Sequence, residues 1–154
     1  VGPGAYGAMP KLPDGTQLIG VGKPEFSSFY VNSDSITLDG FLFHWAGAQG
    51  ASDTHNVFTA DGTVGFSVIN SEFRGSPDNN GMARGRGLRI TTTCMNSLVE
   101  GCNFNTWARG AGVNGRGVTF RGNEITNIRS DGLNTGVGED YLIALNYFHD
   151  FALV

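Results

Sequence analysis

Apolar residues recur in short segments that alternate with polar positions and are interrupted by Gly or Asn. SITLDGFLF, GFSVINSEF, NSLVEGCNF, GVTFRGNEI and DYLIALNYF align on one apolar position, and a second apolar residue stands five positions later. The first set is Leu38, Val68, Val99, Phe120 and Ile143, and the second is Phe43, Phe73, Phe104, Ile125 and Phe148. This alternation predicts short strands, because no stretch of about 11 residues keeps the 3.6-residue period of a helix.

The distance between aligned positions indicates a repeating coil. TQLIGVG adds an earlier position at Leu18, and the intervals are then 20, 30, 31, 21 and 23 residues. A unit of just over 20 residues, with insertions near 49–55 and 76–86, accounts for them. Such a unit is too short for a strand–helix–strand crossover and cannot bury its apolar side alone. We therefore predict an all-β parallel β-helix, a solenoid of about six coils, with an antiparallel sandwich as the alternative.

Single residues also have positions in this repeat. Asn123 and Asn146 share one register in adjacent units, which predicts a ladder of hydrogen-bonded side-chain amides. Trp107 falls at an apolar position, so we expect it in the core. Cys94 and Cys102 have no metal-ligand spacing, and we interpret them as buried free thiols, with a disulfide as the alternative.

Composition narrows the class of protein. The 24 glycines among 154 residues are consistent with many tight turns, and only 16% of residues are charged. No apolar run approaches the roughly 18 residues of a membrane span, so none is expected. The net charge of −4 argues against a nucleic-acid partner, because such proteins are usually basic.

The arginines are unevenly distributed. All eight lie within residues 74–129 together with three acids, so that stretch carries +5 and the remainder carries −9. Guanidinium groups bind carboxylate, sulfate or phosphate through paired hydrogen bonds. We interpret the stretch either as an anion-binding surface or as arginines scattered around the molecule. The candidate substrate-binding residues are Arg84, Arg86, Arg89, Arg116 and Arg121.

Several segments resemble the right-handed parallel β-helix superfamily. VGPGAYGAMPKLPDGTQLIGVGKP resembles the stretch leading into the first coils, and ITLDGFLF resembles a recurrent coil. GVTFRGNEITNIRSDGLNTGVGEDYLIALNYFHDF resembles the coils of secreted bacterial members. That superfamily includes pectate-lyase-like and alginate-epimerase-like proteins and phage tail spikes. The Asp-Pro-His element of the alginate epimerases is absent.

The resemblance implies a right-handed solenoid and an acidic polysaccharide or cell-surface glycan as partner. It also implies polysaccharide lyase or epimerase chemistry, an extracellular or virion-surface location, and a homotrimer or larger assembly through the parent protein. The chain opens with VGPGAYG and stops at FHDFALV in mid-coil. We therefore expect residues 1–154 to be a single β-helix segment of a larger protein, truncated at one or both ends.

Polar residues near the last coils are candidates for chemistry. Asp131 and Arg129 would supply the carboxylate and the cation that proton abstraction next to a sugar carboxyl requires. His149 is a candidate base that Asp150 would orient. Carboxylates can also bind a hard cation, and the candidate calcium ligands are Glu139, Asp140 and Asp150. For each group the alternative is an ordinary turn or surface residue.

Two functions are consistent with these features. One is a glycan-recognising module that binds an acidic polysaccharide, with or without cleaving or epimerising it. The other is a non-catalytic shaft that serves as a structural or adhesive spacer. The arginine-rich stretch favours the first, and the absence of a complete catalytic signature favours the second.

Overall fold

The chain folds as a parallel β-helix. The computed structural model describes residues 1–45, 55–59, 61–76 and 85–151, and gives only the backbone of His55 and Phe58. The insertions predicted near 49–55 and 76–86 lie largely outside these residues. Every strand pairing within the described residues is parallel, which confirms the solenoid and excludes the antiparallel sandwich there.

The strands, numbered in chain order, form three sheets that extend along the solenoid. Sheet A contains β1 (Ala5–Tyr6), β3 (Glu25–Phe26), β6 (Leu42–His44), β9 (Glu72–Arg74), β12 (Asn103–Asn105), β15 (Glu124–Thr126) and β18 (Tyr147–His149). Sheet B contains β4 (Phe29–Val31), β7 (His55–Thr59), β10 (Arg86–Ile90), β13 (Arg109–Val113) and β16 (Leu133–Thr135). Sheet C contains β2 (Gln17–Ile19), β5 (Thr37–Asp39), β8 (Ser67–Ile69), β11 (Leu98–Glu100), β14 (Thr119–Arg121) and β17 (Leu142–Ala144).

The predicted apolar positions form two inward columns. Leu38 pairs in register with Val68, and the same register continues along sheet C. The positions five residues later stack in the same way along sheet A, where Phe43 pairs with Phe73. A short corner joins each sheet C strand to the following sheet A strand, and this geometry produces the five-residue offset.

Phenylalanine rings fill the interior behind sheet A. The rings of Phe73 and Phe104 are stacked nearly parallel, with centroids 4.5 Å apart and an interplanar angle of 4°. Phe43 continues the stack at 5.3 Å from Phe73. Trp107 is fully buried, as predicted, and its Nε1 donates a hydrogen bond to the backbone oxygen of Phe73. The core is therefore continuous from coil to coil.

The corners after sheet C use the left-handed backbone region. Gly40, Asn70, Gly101 and Gly122 have φ values of 77°, 48°, 61° and 61°. These residue types tolerate that region, which explains their recurrence at one step of the repeat. Leu145 occupies the same step with φ 57°, and 90% of its surface is exposed.

The predicted asparagine ladder is present. Nδ2 of Asn123 donates to Oδ1 of Asn146 at 3.0 Å, and the backbone N–H of Asn123 donates to the same oxygen. Oδ1 of Asn123 accepts from the buried N–H of Cys102 at 2.9 Å. Cys94 and Cys102 are buried free thiols, which confirms the interpretation favoured from sequence.

The last described coil is more exposed than those before it. Ile143 and Phe148 continue the two inward columns, yet their exposed fractions are 44% and 42%, against 0% for Phe120 and Ile125. This coil packs against another described coil on one side only, and the missing contact explains the difference in exposure. None of the described residues belongs to a helix long and apolar enough to cross a membrane.

Candidate functional site

A local break in the inward–outward alternation of β10 places two arginines on the outer face of sheet B. In β10, Gly87 and Leu88 are consecutive and both are buried, whereas Arg86 and Arg89 on either side are half-buried. A Cβ added at Gly87 would touch Phe73 and Phe104, so this position faces the core. Two inward residues in succession reverse the usual alternation, and both arginines consequently point outward.

One register position of sheet B continues from strand to strand, parallel to the solenoid axis. Tyr30 pairs with Phe58, Phe58 with Arg89, Arg89 with Gly112, and Gly112 with Asn134. The guanidinium of Arg86 joins this row, because a Cβ added at Gly112 would lie 2.7 Å from its Nη1.

Sheet B differs from its neighbours in charge. Its five strands contain three arginines and neither Asp nor Glu. Each of the other two sheets contains both signs: β9 of sheet A has Glu72 and Arg74, and sheet C has Glu100 in β11 and Arg121 in β14. Sheet B is therefore distinguished by its arginines. We call the surface around two of them the sheet B face, and it comprises Tyr30, Arg86, Arg89, Gly112 and Asn134.

The other candidate substrate-binding arginines lie elsewhere. Nε of Arg116 is 3.2 Å from Oδ2 of Asp140 at the corner before β14. Nε of Arg121, on sheet C, is 2.9 Å from Oε1 of Glu100, and this pairing raises the pKa of Arg121. Arg84 lies outside the described residues. Of the four predicted arginines that the structure describes, Arg86 and Arg89 share a strand, whereas Arg116 and Arg121 lie elsewhere.

Asp131 is placed beside an arginine of the neighbouring coil. Its Oδ2 lies 3.1 Å from Nε of Arg109, and sequence reasoning had associated Asp131 with Arg129 instead. Nε of Arg129 is buried and has no hydrogen-bond partner within the described residues. The catalytic roles of Asp131 and Arg129 stay predictions, but the ion partner of Asp131 in this structure is Arg109.

His149 is held between two carboxylates on sheet A. Its Nδ1 is 2.8 Å from Oδ2 of Asp150, and its Nε2 is 3.0 Å from Oε1 of Glu124 on the preceding coil. The ring of Tyr147 stacks on it at 4.5 Å. Hydrogen bonds to Asp150 and then Glu124 raise the pKa of His149 above its ordinary value of 6.5.

This arrangement suits the protonated imidazole. Only the charged ring can donate from both nitrogens at once, whereas the neutral ring has one donor and one acceptor. For His149 to accept a proton as a base, one of its two hydrogen bonds must first open. His149 lies on β18 of sheet A and Asp131 lies just before β16 of sheet B, so the two predicted catalytic groups face different sides of the coil.

Glu124 was missed by the sequence reasoning. It contacts His149 from 25 positions earlier in the chain, which is close to one coil. The period of the repeat was the available signal, because residues separated by one coil are neighbours on the same sheet.

The predicted calcium ligands are engaged with other side chains. Asp140 and Glu139 both face Nε of Arg116, at 3.2 and 3.7 Å, and Asp150 faces His149. Across the described ranges, no group of three or more His, Cys, Asp or Glu side chains is arranged to hold a metal ion. A cation between two acids disfavours a second cation, so these residues do not fit a calcium site in this arrangement. Calcium binding stays a prediction.

An open cleft of about 360 Å³ lies beside the Arg116 corner. Its lining includes Thr92, Arg116, Val137 and Glu139. Because an acid and a base are both present at its wall, the cleft has no strong preference for one sign of charge.

Pairs between adjacent coils account for part of the uneven charge distribution. Arg109 with Asp131, and Arg116 with Asp140, join the last described coil to the one before it at two different sides. The acidic last coil therefore packs on a basic neighbour. Arg86 and Arg89 lie on sheet B, whose described strands contain neither Asp nor Glu.

Comparisons with family models, curated proteins and solved structures each found no match. The observed fold is consistent with the resemblance described from the sequence, since all three sheets are parallel and built from short stacked strands.

Proposed function

We propose that this chain is a glycan-recognising module of a pectate-lyase-like or tail-spike-like β-helix protein, and that it binds an acidic polysaccharide on the sheet B face. The observation that carries the proposal is the pair of consecutive inward residues in β10, which sets Arg86 and Arg89 on one side of a sheet without Asp or Glu in its strands. Two guanidinium groups on one strand suit carboxylate or sulfate groups of a polymer.

Binding should be measured with alginate, pectate and a sulfated polysaccharide, with a neutral polysaccharide as reference. We expect Arg86→Gln and Arg89→Gln each to weaken binding about tenfold, because a hydrogen bond to a charged group contributes about 1.5–3 kcal/mol. Arg121→Gln is the matched control, since it removes the same charge from sheet C. Affinity should also fall as salt concentration rises.

Failure of every acidic polysaccharide to bind would contradict the proposal. Equal weakening by Arg121→Gln and Arg89→Gln would also contradict it, because a general effect of net charge would then be sufficient.

Lyase or epimerase activity stays a prediction. It would require Asp131, Arg129 or His149 to act on the bound sugar, and Asp131 and His149 face different sides of the coil. Formation of unsaturated sugar ends, followed by ultraviolet absorbance, would detect elimination. Loss of that signal in His149→Gln or Asp131→Asn would assign the group responsible.

The second candidate is a non-catalytic shaft. It is favoured by the uninterrupted stack of Phe43, Phe73 and Phe104 and by the ion pairs between coils, both of which stiffen the solenoid. Absence of glycan binding together with a trimeric or larger state in analytical ultracentrifugation would support it. The extracellular or virion-surface location is part of the same proposal.

A further inference from the structure

We propose that Ser76, His44 and Glu25 form a nucleophile–base–acid triad on sheet A, and that this triad hydrolyses small carboxylic esters. Three successive coils each contribute one member: Glu25 lies on β3, His44 lies on β6, and Ser76 follows β9. The triad belongs to a different sheet from the glycan-binding surface proposed above and does not depend on it.

The three side chains are joined in the order that acyl transfer requires. Nδ1 of His44 is 3.0 Å from Oε1 of Glu25, and Nε2 of His44 is 3.5 Å from Oγ of Ser76. A nucleophile, a base and a third group that orients the base are the parts of an activated serine. Hydrogen bonds of this kind are often long without a substrate and shorten when one binds.

The carboxylate of Glu25 determines which nitrogen of His44 can act as the base. An ionised carboxylate only accepts hydrogen bonds, so the proton of the neutral ring is on Nδ1 and the lone pair is on Nε2. That lone pair faces the hydroxyl of Ser76. His149 differs in this respect, because a carboxylate faces each of its two nitrogens.

The hydroxyl proton of Ser76 has a second acceptor. Oγ of Ser76 donates to the backbone oxygen of Trp45 at 2.7 Å. Rotation about the Cβ–Oγ bond turns the same proton toward Nε2 of His44 while every heavy atom stays in place, because a hydroxyl hydrogen rotates to suit its acceptor. The contact with Trp45 thus holds Oγ beside the base and competes with the base only for the direction of the proton.

The base can be reached from solvent, and positive charge lies on the same face. The side chains of His44 and Glu25 are 24% and 34% exposed. Arg74 pairs in register with His44 on the next coil, and Arg74 and Lys23 both pair with Glu72, which leaves one net positive charge there. Positive charge stabilises the acyl oxygen as it becomes negative.

The surroundings of the nucleophile favour a small acyl group. Ser76 is half-buried, and its Oγ lies against the backbone of Trp45. A short acyl group therefore fits beside Oγ more easily than a bulky one, while the alcohol part of the ester extends into solvent.

The reaction consumes only the ester and water. Oγ of Ser76 bonds to the acyl carbon while its proton passes to Nε2 of His44. The bond from that carbon to the alcohol oxygen then breaks, and the departing alkoxide takes the proton from His44. Water next attacks the acyl carbon and gives a proton to His44, the carboxylic acid leaves, and Oγ of Ser76 regains the proton.

A fluorophosphonate probe and the hydrolysis of p-nitrophenyl acetate test the triad in the intact chain. The probe phosphonylates an activated serine with loss of fluoride, and mass spectrometry of peptides locates it. We expect the label on Ser76, and at least about tenfold less of it in His44→Gln. The rate of ester hydrolysis should fall about 100-fold in both Ser76→Ala and His44→Gln, because general base catalysis contributes about 10²–10⁴-fold.

Glu25 is a positioning residue, since it acts through His44. Glu25→Gln should lower kcat per folded molecule about 10- to 100-fold and leave KM unchanged, because the carboxylate does not touch the ester. Circular dichroism gives the folded fraction of each variant, so loss of structure is distinguished from loss of orientation. Ser130→Ala and Glu100→Gln remove an exposed serine and a carboxylate of sheet C, and these matched controls should retain the rate.

Three results would overturn the triad. They are hydrolysis by the wild type no faster than in buffer, an unchanged rate in Ser76→Ala, and a label that is absent from Ser76 or persists there in His44→Gln. Each of these results would leave polysaccharide binding intact, because that function is measured separately with Arg86→Gln and Arg89→Gln.

Discussion

Asn123 and Asn146 lie one coil apart and are joined by a hydrogen bond of 3.0 Å from Nδ2 of Asn123 to Oδ1 of Asn146. Asn123 also accepts from the N–H of Cys102 and donates to the backbone oxygen of Val99. One buried side chain thus satisfies backbone groups of the preceding coil while it contacts the following one.

Removing this amide should strongly destabilise the fold. We expect Asn123→Ala to lower the free energy of unfolding by about 2–4 kcal/mol, because it leaves the buried N–H of Cys102 without an acceptor. Urea unfolding followed by circular dichroism would measure this. Asn103→Ala removes an exposed amide bonded to Glu124 and should cost less than about 1 kcal/mol. Similar losses for both variants would show that the ladder has no special role.

Leu145 offers a substitution that should stabilise the protein. Its φ of 57° is unfavourable for leucine, and its side chain is 90% exposed. Leu145→Gly should raise the free energy of unfolding by about 1 kcal/mol, because the left-handed region costs other residues roughly 1–2 kcal/mol. The measurement is again denaturant unfolding. Gly122→Ala makes the reverse change at the same step of the preceding coil and should destabilise by a similar amount; stabilisation there would contradict the explanation.

Stability should depend on pH through His149. The pKa of its folded form is raised above 6.5 by Asp150 and Glu124, so its contribution is fully present below pH 6.5. That contribution is lost as the pH rises through the higher pKa of the folded state, because only the charged ring donates to both carboxylates. Melting temperatures from pH 5 to 9 should show this loss, and the same component should be absent from His149→Gln.

His44 is the internal comparison for that experiment. Its Nδ1 is 3.0 Å from Oε1 of Glu25, whereas its Nε2 faces the hydroxyl of Ser76 at 3.5 Å. A hydroxyl can donate or accept, so this contact does not require a charged ring. His44→Gln should retain the pH-dependent component of the wild type. Titration of His149 by NMR should give a pKa above 6.5, and a pKa below 6.5 would contradict the assignment.

The thiols should be unreactive in the folded protein. Burial raises the pKa of Cys102 to about 12, so almost none of it is thiolate at pH 8, and Cys94 is fully buried. A maleimide or iodoacetamide reagent should modify neither cysteine over minutes in the native state and both in 6 M guanidinium, as counted by mass spectrometry. Rapid native modification at Cys102 would show that this part of the core opens readily.

Much of the fold follows from local pattern. The inward columns were predictable because a strand alternates sides at period two, and a short corner of fixed length carries that alternation into the next sheet. The ladder position of Asn123 followed from the same register. Handedness and the larger protein were expectations from resemblance rather than from these positions.

The candidate site was less predictable, because it depends on which residues face one another across coils. The sequence suggested Arg129, which is nearby in the chain, as the cation beside Asp131. The ion partner of Asp131 is instead Arg109 on the adjacent coil. Arg116 and Asp140 are likewise 24 positions apart. The break in alternation that turns Arg86 and Arg89 to one face depends on Gly87 packing against two phenylalanines, a contact that no local pattern encodes.

The equivalence of successive corners limits how the chain can change in length. Gly101 and Gly122 have the same φ of 61°, and the strands that precede them are paired in register from Leu98 to Thr119 onward. Excising residues 101–121 would join Glu100 to Gly122 and preserve every inward column. Deleting a single strand residue would instead move the following side chains of that strand to the opposite face of the sheet. The length of such a chain therefore changes more readily by whole coils than by individual strand residues.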